Sequence, residues 1–211
     1  MKLKYLVVAL AAVVFSAPAL HAQTPEEIVQ KMSEQMDRCE AEGFTMDLIM
    51  KIPILGEFRT HNLSYGDKLR MEMNKNNFRF ITWSDKQTQW EYDPEKNEIT
   101  ITKADSKPSK TEEKSDLSAF DSLTDGYDLT LKSEDANTWY ITCKKSKSNK
   151  TKDDPKQIDL AVLKSTYLPL YLKTKQSGIT VSIENTTLGV TESEVTFNPA
   201  EFPNAKIIDK R

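Results

Sequence analysis

The chain has 211 residues, of which 29 are lysine or arginine and 32 are aspartate or glutamate, so its formal net charge is -3. This mildly acidic balance argues against a general nucleic-acid binder, which needs a basic surface. With only six glycines and two histidines, the sequence has no glycine-rich phosphate loop and no Cys/His cluster with metal-ligand spacing. We therefore expect no nucleic-acid partner, no metal and no other cofactor.

Residues 1–22 have the layout of a secretory signal peptide. Two early lysines precede an apolar run that ends at Phe15, and small residues follow as far as Ala22. A membrane anchor needs about 20 continuous apolar residues, whereas this run is shorter and Pro18 interrupts the segment. Removing two lysines leaves 27 basic against 32 acidic residues, a net charge of -5. We expect a soluble extracytoplasmic protein whose residues 23–211 form a single domain.

A helix is predicted directly after this segment. Thr24 is a cap residue, Pro25 follows at the first helical position, and Glu27 is placed to reach back to the cap amide. The helix should continue to about Glu40 and end near Gly43. Its apolar residues recur at spacings of four and three, which predicts one narrow stripe that packs on a sheet: Ile28, Met32, Met36 and Cys39.

After the helix, the apolar pattern changes to the alternation that is typical of strands. Eleven strands are predicted, at residues 44–51, 57–65, 68–73, 78–83, 88–92, 98–101, 127–131, 138–143, 157–163, 167–173 and 179–185. A short extended piece at 194–197 follows, after which Pro199 and Pro203 should stop regular structure. Mostly local hairpins indicate one curved antiparallel sheet. The expected fold is mainly β: an incomplete, half-closed barrel of about eleven strands with a long N-terminal helix in its mouth.

The strand pattern is interrupted between residues 103 and 124. A polar stretch without periodicity leads to a short helical candidate at 116–124, with three apolar residues on one face: Leu117, Phe120 and Leu123. A polar tether followed by an amphipathic element fits a helical lid over an apolar cavity, and it fits the alternative equally well. The alternative is a surface helix that plugs one end of the barrel.

Two further features leave alternatives open. Cys39 and Cys143 fall on the apolar faces of their elements, so they fit two buried thiols or, in an exported protein, a disulfide. The connection at 144–156 carries six lysines. It fits a solvated hairpin loop, and the alternative is contact with an acidic partner or with anionic lipid.

The sequence does not favour an enzyme. His61 is the only histidine outside residues 1–22, so a Ser-His or Cys-His arrangement would depend on it alone. Carboxylates are abundant, yet no particular pair is marked by its spacing. We therefore predict a protein without catalytic residues.

A binding function has more support, because methionines and aromatic residues alternate along neighbouring strands. Methionine is flexible and polarisable, so a concave face rich in methionine adapts to apolar ligands of varied shape. The alternative is that the same side chains fill an ordinary core. The residues predicted to face inward are Met46, Leu48, Met50, Leu69, Met71, Met73, Phe78, Phe80, Trp90 and Tyr92.

Two motifs carry a resemblance to a known family. Residues 84–94 read S-D-x-x-x-x-W-x-Y-D-P, and residues 195–199 read V-T-F-N-P before a tail that contains Ile207 and Asp209. With the signal peptide, capped helix and strands, these motifs resemble the LolA family of periplasmic outer-membrane lipoprotein carriers. The resemblance implies an incomplete β-barrel whose helices lid an apolar cavity. It also implies that acylated lipoproteins are carried from an inner-membrane release complex to an outer-membrane receptor.

One departure from the family concerns control of the lid. The family commonly has an Arg-Pro pair before this meander, whereas residues 67–70 here read D-K-L-R. The resemblance implies that Lys68 or Arg70 takes that role, although an ammonium group does not reproduce the guanidinium fork. We expect a monomer. The alternative function is that of a relative on the same scaffold, an envelope sensor that binds a protein or a module that binds an apolar small molecule.

Overall fold

A computed structural model describes residues 23–104, 125–152 and 154–211. In these ranges the chain forms an 18-residue helix, α1 (Pro25–Glu42), a four-residue helix, α2 (Glu192–Val195), and a 3-10 turn, Pro199–Glu201. The strands are β1 (Phe44–Ile52), β2 (Gly56–Tyr65), β3 (Lys68–Lys75), β4 (Phe78–Ser84), β5 (Thr88–Asp93), β6 (Glu98–Lys103), β7 (Tyr127–Glu134), β8 (Thr138–Lys145), β9 (Gln157–Leu163), β10 (Pro169–Gln176), β11 (Ile179–Leu188) and β12 (Lys206–Asp209).

All twelve strands belong to one sheet, in the order β12-β6-β5-β4-β3-β2-β1-β11-β10-β9-β8-β7. Neighbouring strands are antiparallel except for β12, which pairs with β6 in parallel. The sheet therefore consists of two meanders, β1 to β6 and β7 to β11, which are joined where β1 pairs with β11. Within the described ranges β12 and β7 are edge strands, so the sheet is open. This architecture is consistent with an incomplete barrel, and the eleven predicted strands correspond to β1–β11.

The start of α1 follows the prediction. The Thr24 hydroxyl accepts a hydrogen bond from the Glu27 amide at 3.2 Å, and the Glu27 carboxylate accepts one from the Thr24 amide at 3.0 Å. The helix ends at Gly43, which adopts a φ of 73°. A Cβ at this position would collide with the carbonyl oxygen of Val190, so both the backbone angle and the space require glycine.

The predicted stripe of α1 is fully buried. Ile28, Met32, Met36 and Cys39 each have 0% exposure, as does Val29 beside them. These side chains pack on β7, β8, β9 and the first residue of β1, where their partners are Tyr127, Ile141, Cys143, Ile158, Leu160, Val162 and Phe44. The helix therefore covers one half of one sheet face.

Replacing Thr24 with alanine is expected to lower the free energy of unfolding by about 1 kcal/mol, because the amide at Glu27 loses its cap. Urea denaturation of the two proteins measures this difference. Thr24→Ser keeps the hydroxyl and serves as the control. An alanine variant as stable as the serine variant would contradict the capping role.

The carboxyl-terminal segment differs from the prediction. The prediction of an extended segment at 194–197 is wrong, because Thr191 and Glu194 form a capping box that starts α2. In this box the Thr191 amide donates a hydrogen bond to the Glu194 carboxylate at 2.7 Å. Regular structure also does not stop at Pro203, since Ile207 in β12 pairs opposite Ile99 in β6. The free edge of β6 supplies hydrogen-bond partners for the backbone of the tail, and these partners are far from it in sequence.

Cys39 and Cys143 are free thiols in this structure, and both have 0% exposure. Burial raises the pKa of Cys39 to about 11 and that of Cys143 to about 12. Both thiols are therefore protonated and unreactive near neutral pH. Separately, none of the helices described for this chain combines the length and the hydropathy that a membrane span requires.

Candidate functional site

Strand register decides which side chains share a face of the sheet. Met50 pairs opposite Phe58, and Met73 pairs opposite Phe80, so these side chains lie on one side. Phe44 packs against α1 and alternates in phase with Met46, which places this side on the same face as the helix. We call the following set the methionine face: Met46, Leu48, Met50, Phe58, Leu69, Met71, Met73, Phe78 and Phe80.

The methionine face is open to solvent in the described part of the chain. Exposure is 36% for Met50, 36% for Phe58, 39% for Leu69 and 39% for Phe78, and the other members are partly buried. The buried cluster beneath α1 lies on the other meander and ends at Phe44 and Met46. Eight of the ten residues predicted to face inward are thus brought together here, and Phe58 is an addition.

Trp90 and Tyr92 do not belong to this face, so their predicted place is wrong. Trp90 pairs opposite Trp83, and Tyr92 pairs opposite Ile81. Trp83 follows Thr82, and Thr82 shares the methionine face with its pairing partner Met71. Trp83, Trp90 and Tyr92 therefore point to the other side of the sheet, which we call the tryptophan face together with Ile81, Ile99 and Ile101.

The tryptophan face is covered by the carboxyl-terminal segment. Trp83 has 1% exposure and meets the rings of Phe197 and Phe202 edge-on, at centroid distances of 5.4 Å and 5.6 Å. Phe197 also stacks on Trp90 at 5.7 Å, and Phe202 lies 4.6 Å from Tyr92. These aromatic contacts seal one side of the meander. Phe197 belongs to the V-T-F-N-P motif of the sequence analysis, but its contacts with Trp83 and Trp90 were not predicted, and Phe202 was not singled out. Two aromatic residues flanking Pro199 in a polar tail were a usable signal.

Lys68 and Arg70 lie on the same side as Trp83. Lys68 Nζ is 2.6 Å from the Glu192 carboxylate, and this hydrogen bond raises the pKa of Lys68. Arg70 donates to the Glu194 carbonyl at 3.0 Å, and its guanidinium lies 5.6 Å from the centre of the Trp83 ring. Both cations therefore hold α2 on the sheet. The predicted lid residues Leu117, Phe120 and Leu123 lie outside the described residues, so control of a lid stays a prediction.

His61 belongs to an ion cluster that ties three strands together. Its Nδ1 lies 2.8 Å from the Asp47 carboxylate, which also accepts hydrogen bonds from Arg59 at 3.1 Å and Asn185 at 2.9 Å. Burial raises the pKa of Asp47, but these hydrogen bonds and charges outweigh it and leave the pKa lowered. Throughout residues 23–104, 125–152 and 154–211, no group of three or more potential metal ligands comes together.

A polar groove of about 510 Å³ lies on the side of the sheet opposite α1. Lys132 and Lys173 line it together with Asp159 and Glu184, so its charges compensate one another. Two tyrosines, Tyr140 and Tyr171, and the Thr142 hydroxyl add further polar groups. None of the residues that the sequence predicts to bind a ligand or control a lid lines this groove.

Comparisons with known proteins report distant structural likeness only. No family model matches the chain, and no curated protein matches it. An uncharacterised conserved protein from Thermus thermophilus is 13% identical, with a TM-score of 0.47, over 86% of this chain and 98% of that one. A LolA superfamily protein from Nitrosomonas europaea is 11% identical, with a TM-score of 0.36, over 85% of this chain and 100% of that one.

A third likeness is to the complex of MucA and MucB from Pseudomonas aeruginosa, at 13% identity and a TM-score of 0.48. The alignment covers 82% of this chain but 61% of that one, so the present chain spans about three fifths of its length. These identities and TM-scores assign the chain to no family.

Proposed function

We propose that the protein is a periplasmic carrier that binds the acyl chains of lipoproteins on the methionine face. One observation carries the proposal: the apolar side chains of four adjacent strands stay exposed on one side, while aromatic packing seals the other side of β3–β5. Soluble proteins rarely expose a contiguous apolar patch of this kind unless it binds something. The exposed members of the methionine face therefore offer an apolar surface for a ligand.

The energetics of an acyl chain explain why a carrier is needed. Each buried methylene contributes about 0.8 kcal/mol, so a sixteen-carbon chain in water would cost roughly 12 kcal/mol. Transfer from a membrane to an apolar protein surface is nearly balanced by comparison. Methionine side chains suit this cargo, because they adjust to chains of different length and branching.

Such a carrier needs neither catalysis nor a cofactor. In this proposal an inner-membrane complex loads the methionine face and an outer-membrane receptor empties it, and direction comes from the partners' preference for the loaded or empty protein. His61 fits this view, since its hydrogen bond to Asp47 belongs to a structural ion cluster.

Native mass spectrometry of the protein extracted from its own envelope tests the proposal. We expect a bound acylated species, which a long-chain amphiphile should displace in vitro. Recovery of a protein partner without any lipid would instead favour the sensor-like alternative. Protein that is recovered empty and fails to bind any long-chain amphiphile would overturn the carrier function.

A further inference from the structure

The turn between β1 and β2 presents two apolar side chains to solvent. Ile54 is 105% exposed and Leu55 is 68% exposed. Ile54 also adopts a φ of 72°, in the left-handed region that β-branched residues rarely occupy. Glycine or asparagine is the ordinary residue for such a turn position, and neither side chain packs on the protein. The fold itself therefore does not account for an isoleucine and a leucine at this tip.

Antiparallel pairing brings the β3–β4 turn, the β10–β11 turn and the β8–β9 connection to the same end of the sheet as this tip. Gly178 in the β10–β11 turn lies beside the ring of Pro53. The start of β9 is three strand positions from β1, a separation of about 15 Å at the usual strand spacing. The tip and the β8–β9 connection can therefore meet one extended surface together.

The β8–β9 connection gives this end a positive charge. The connection itself, residues 146–156, contains four lysines and two aspartates in its sequence, and Lys144 and Lys145 precede it at the end of β8. In the part of the chain that the structure describes, no ion pair joins these lysines to a carboxylate; they are Lys144, Lys145, Lys147, Lys150, Lys152 and Lys156. At the same end of the sheet, Asp93 pairs with Lys96 and Glu98 pairs with Lys206, while Asp128 in β7 lies opposite Lys144. The free charge at this end is thus predominantly cationic.

We propose that this end of the sheet docks on an anionic lipid surface, with Ile54 and Leu55 entering the apolar layer and the lysines lying against the headgroups. A protruding apolar tip next to several cations is the arrangement that interfacial binding requires. An acidic protein would satisfy the lysines but would leave Ile54 and Leu55 in water. None of these residues belongs to the methionine face, so docking does not depend on the proposed cargo site.

The docked orientation has a consequence for the methionine face. Met50 and Phe58 pair opposite each other in β1 and β2, two residue pairs before the last pair of the hairpin, Ile52 and Gly56. Docking through the tip would therefore bring this end of the methionine face to the lipid surface. An acyl chain would have a short path between bilayer and protein.

Vesicle sedimentation tests the docking with protein that comprises residues 23–211, because the apolar segment at 1–22 would bind vesicles by itself. We expect binding to phosphatidylcholine vesicles that contain phosphatidylglycerol, and weaker binding to phosphatidylcholine alone. The double variant Ile54→Ser/Leu55→Ser should lower partitioning by about tenfold or more. Leu170→Ser is the control, since Leu170 is an apolar residue with 37% exposure at the start of β10, at the opposite end of the sheet.

The charge is tested by the triple variant Lys147→Gln/Lys150→Gln/Lys152→Gln, which should lose about tenfold in partitioning and most of the salt dependence. The control triple variant Lys103→Gln/Lys132→Gln/Lys210→Gln removes the same charge away from this end. Failure of the wild-type protein to bind anionic vesicles at low ionic strength would overturn the proposal.

Insertion itself is visible with a fluorophore on Leu55→Cys, because the two native thiols are buried. We expect a blue shift on anionic vesicles. Binding without a blue shift, or binding that survives Ile54→Ser/Leu55→Ser and fails only without the lysines, would overturn the insertion and favour an acidic protein partner.

Discussion

Replacing Trp83 with alanine is expected to lower the free energy of unfolding by about 3–5 kcal/mol, the range for removing a buried aromatic side chain. Trp83 is 1% exposed and contacts Phe197, Phe202 and Arg70 together. Its loss leaves a cavity between the sheet and the carboxyl-terminal segment, so the segment should loosen as well. Urea denaturation and limited proteolysis of the carboxyl terminus measure the two effects.

The control for this prediction is Phe78→Ala, which also removes an aromatic ring, from a strand position with 39% exposure on the methionine face. Its cost should be clearly smaller, because little is packed against it. If the two variants were equally destabilised, the tryptophan face would not be the better packed side of the sheet.

Replacing Met71 with aspartate is expected to weaken binding of a long-chain amphiphile by about a hundredfold or more. The carboxylate would lie in the centre of the methionine face and would lose its water when an acyl chain covers it. A loss of this size corresponds to about 2.7 kcal/mol of binding free energy. Displacement of a fluorescent long-chain probe measures it.

Ile207→Asp is the matched control, since it adds the same charge at an exposed apolar residue of β12. It should bind the probe as the wild type does. Unchanged binding by Met71→Asp would show that the ligand lies elsewhere, and it would remove the methionine face from the proposed function.

Local sequence patterns were sufficient for much of the fold. The cap at Thr24, the buried stripe of α1 and eleven strands follow from residue spacing, because each depends on neighbours within a few positions. The methionine face could be predicted along β1 and β3, where apolar residues alternate with other residues. In these elements only one side of the strand carries the methionines, so the pattern has one reading.

Alternation fails where both sides of a strand are apolar. In β4, Phe78 and Phe80 alternate with Ile81 and Trp83, so the sequence does not say which side faces the helix. Only the register with β3 and β5 assigns Trp90 to the side opposite Met71. The carboxyl-terminal contacts were missed for a related reason, since the pairing of β12 with β6 joins residues more than a hundred positions apart.

The two edge strands also bear on how the protein avoids pairing with other copies of itself. An exposed edge such as that of β6, with Ile99 and Ile101, is a template for aggregation. The four-residue strand β12 covers it and ends at an ion pair between Asp209 and Arg211. At the other edge, the register of β7 shifts around Lys132, which places a cation and a bulge where a further strand would add. Both edge strands of the sheet, β12 and β7, thus resist pairing with a further strand. This property is useful for a protein that keeps an apolar face exposed.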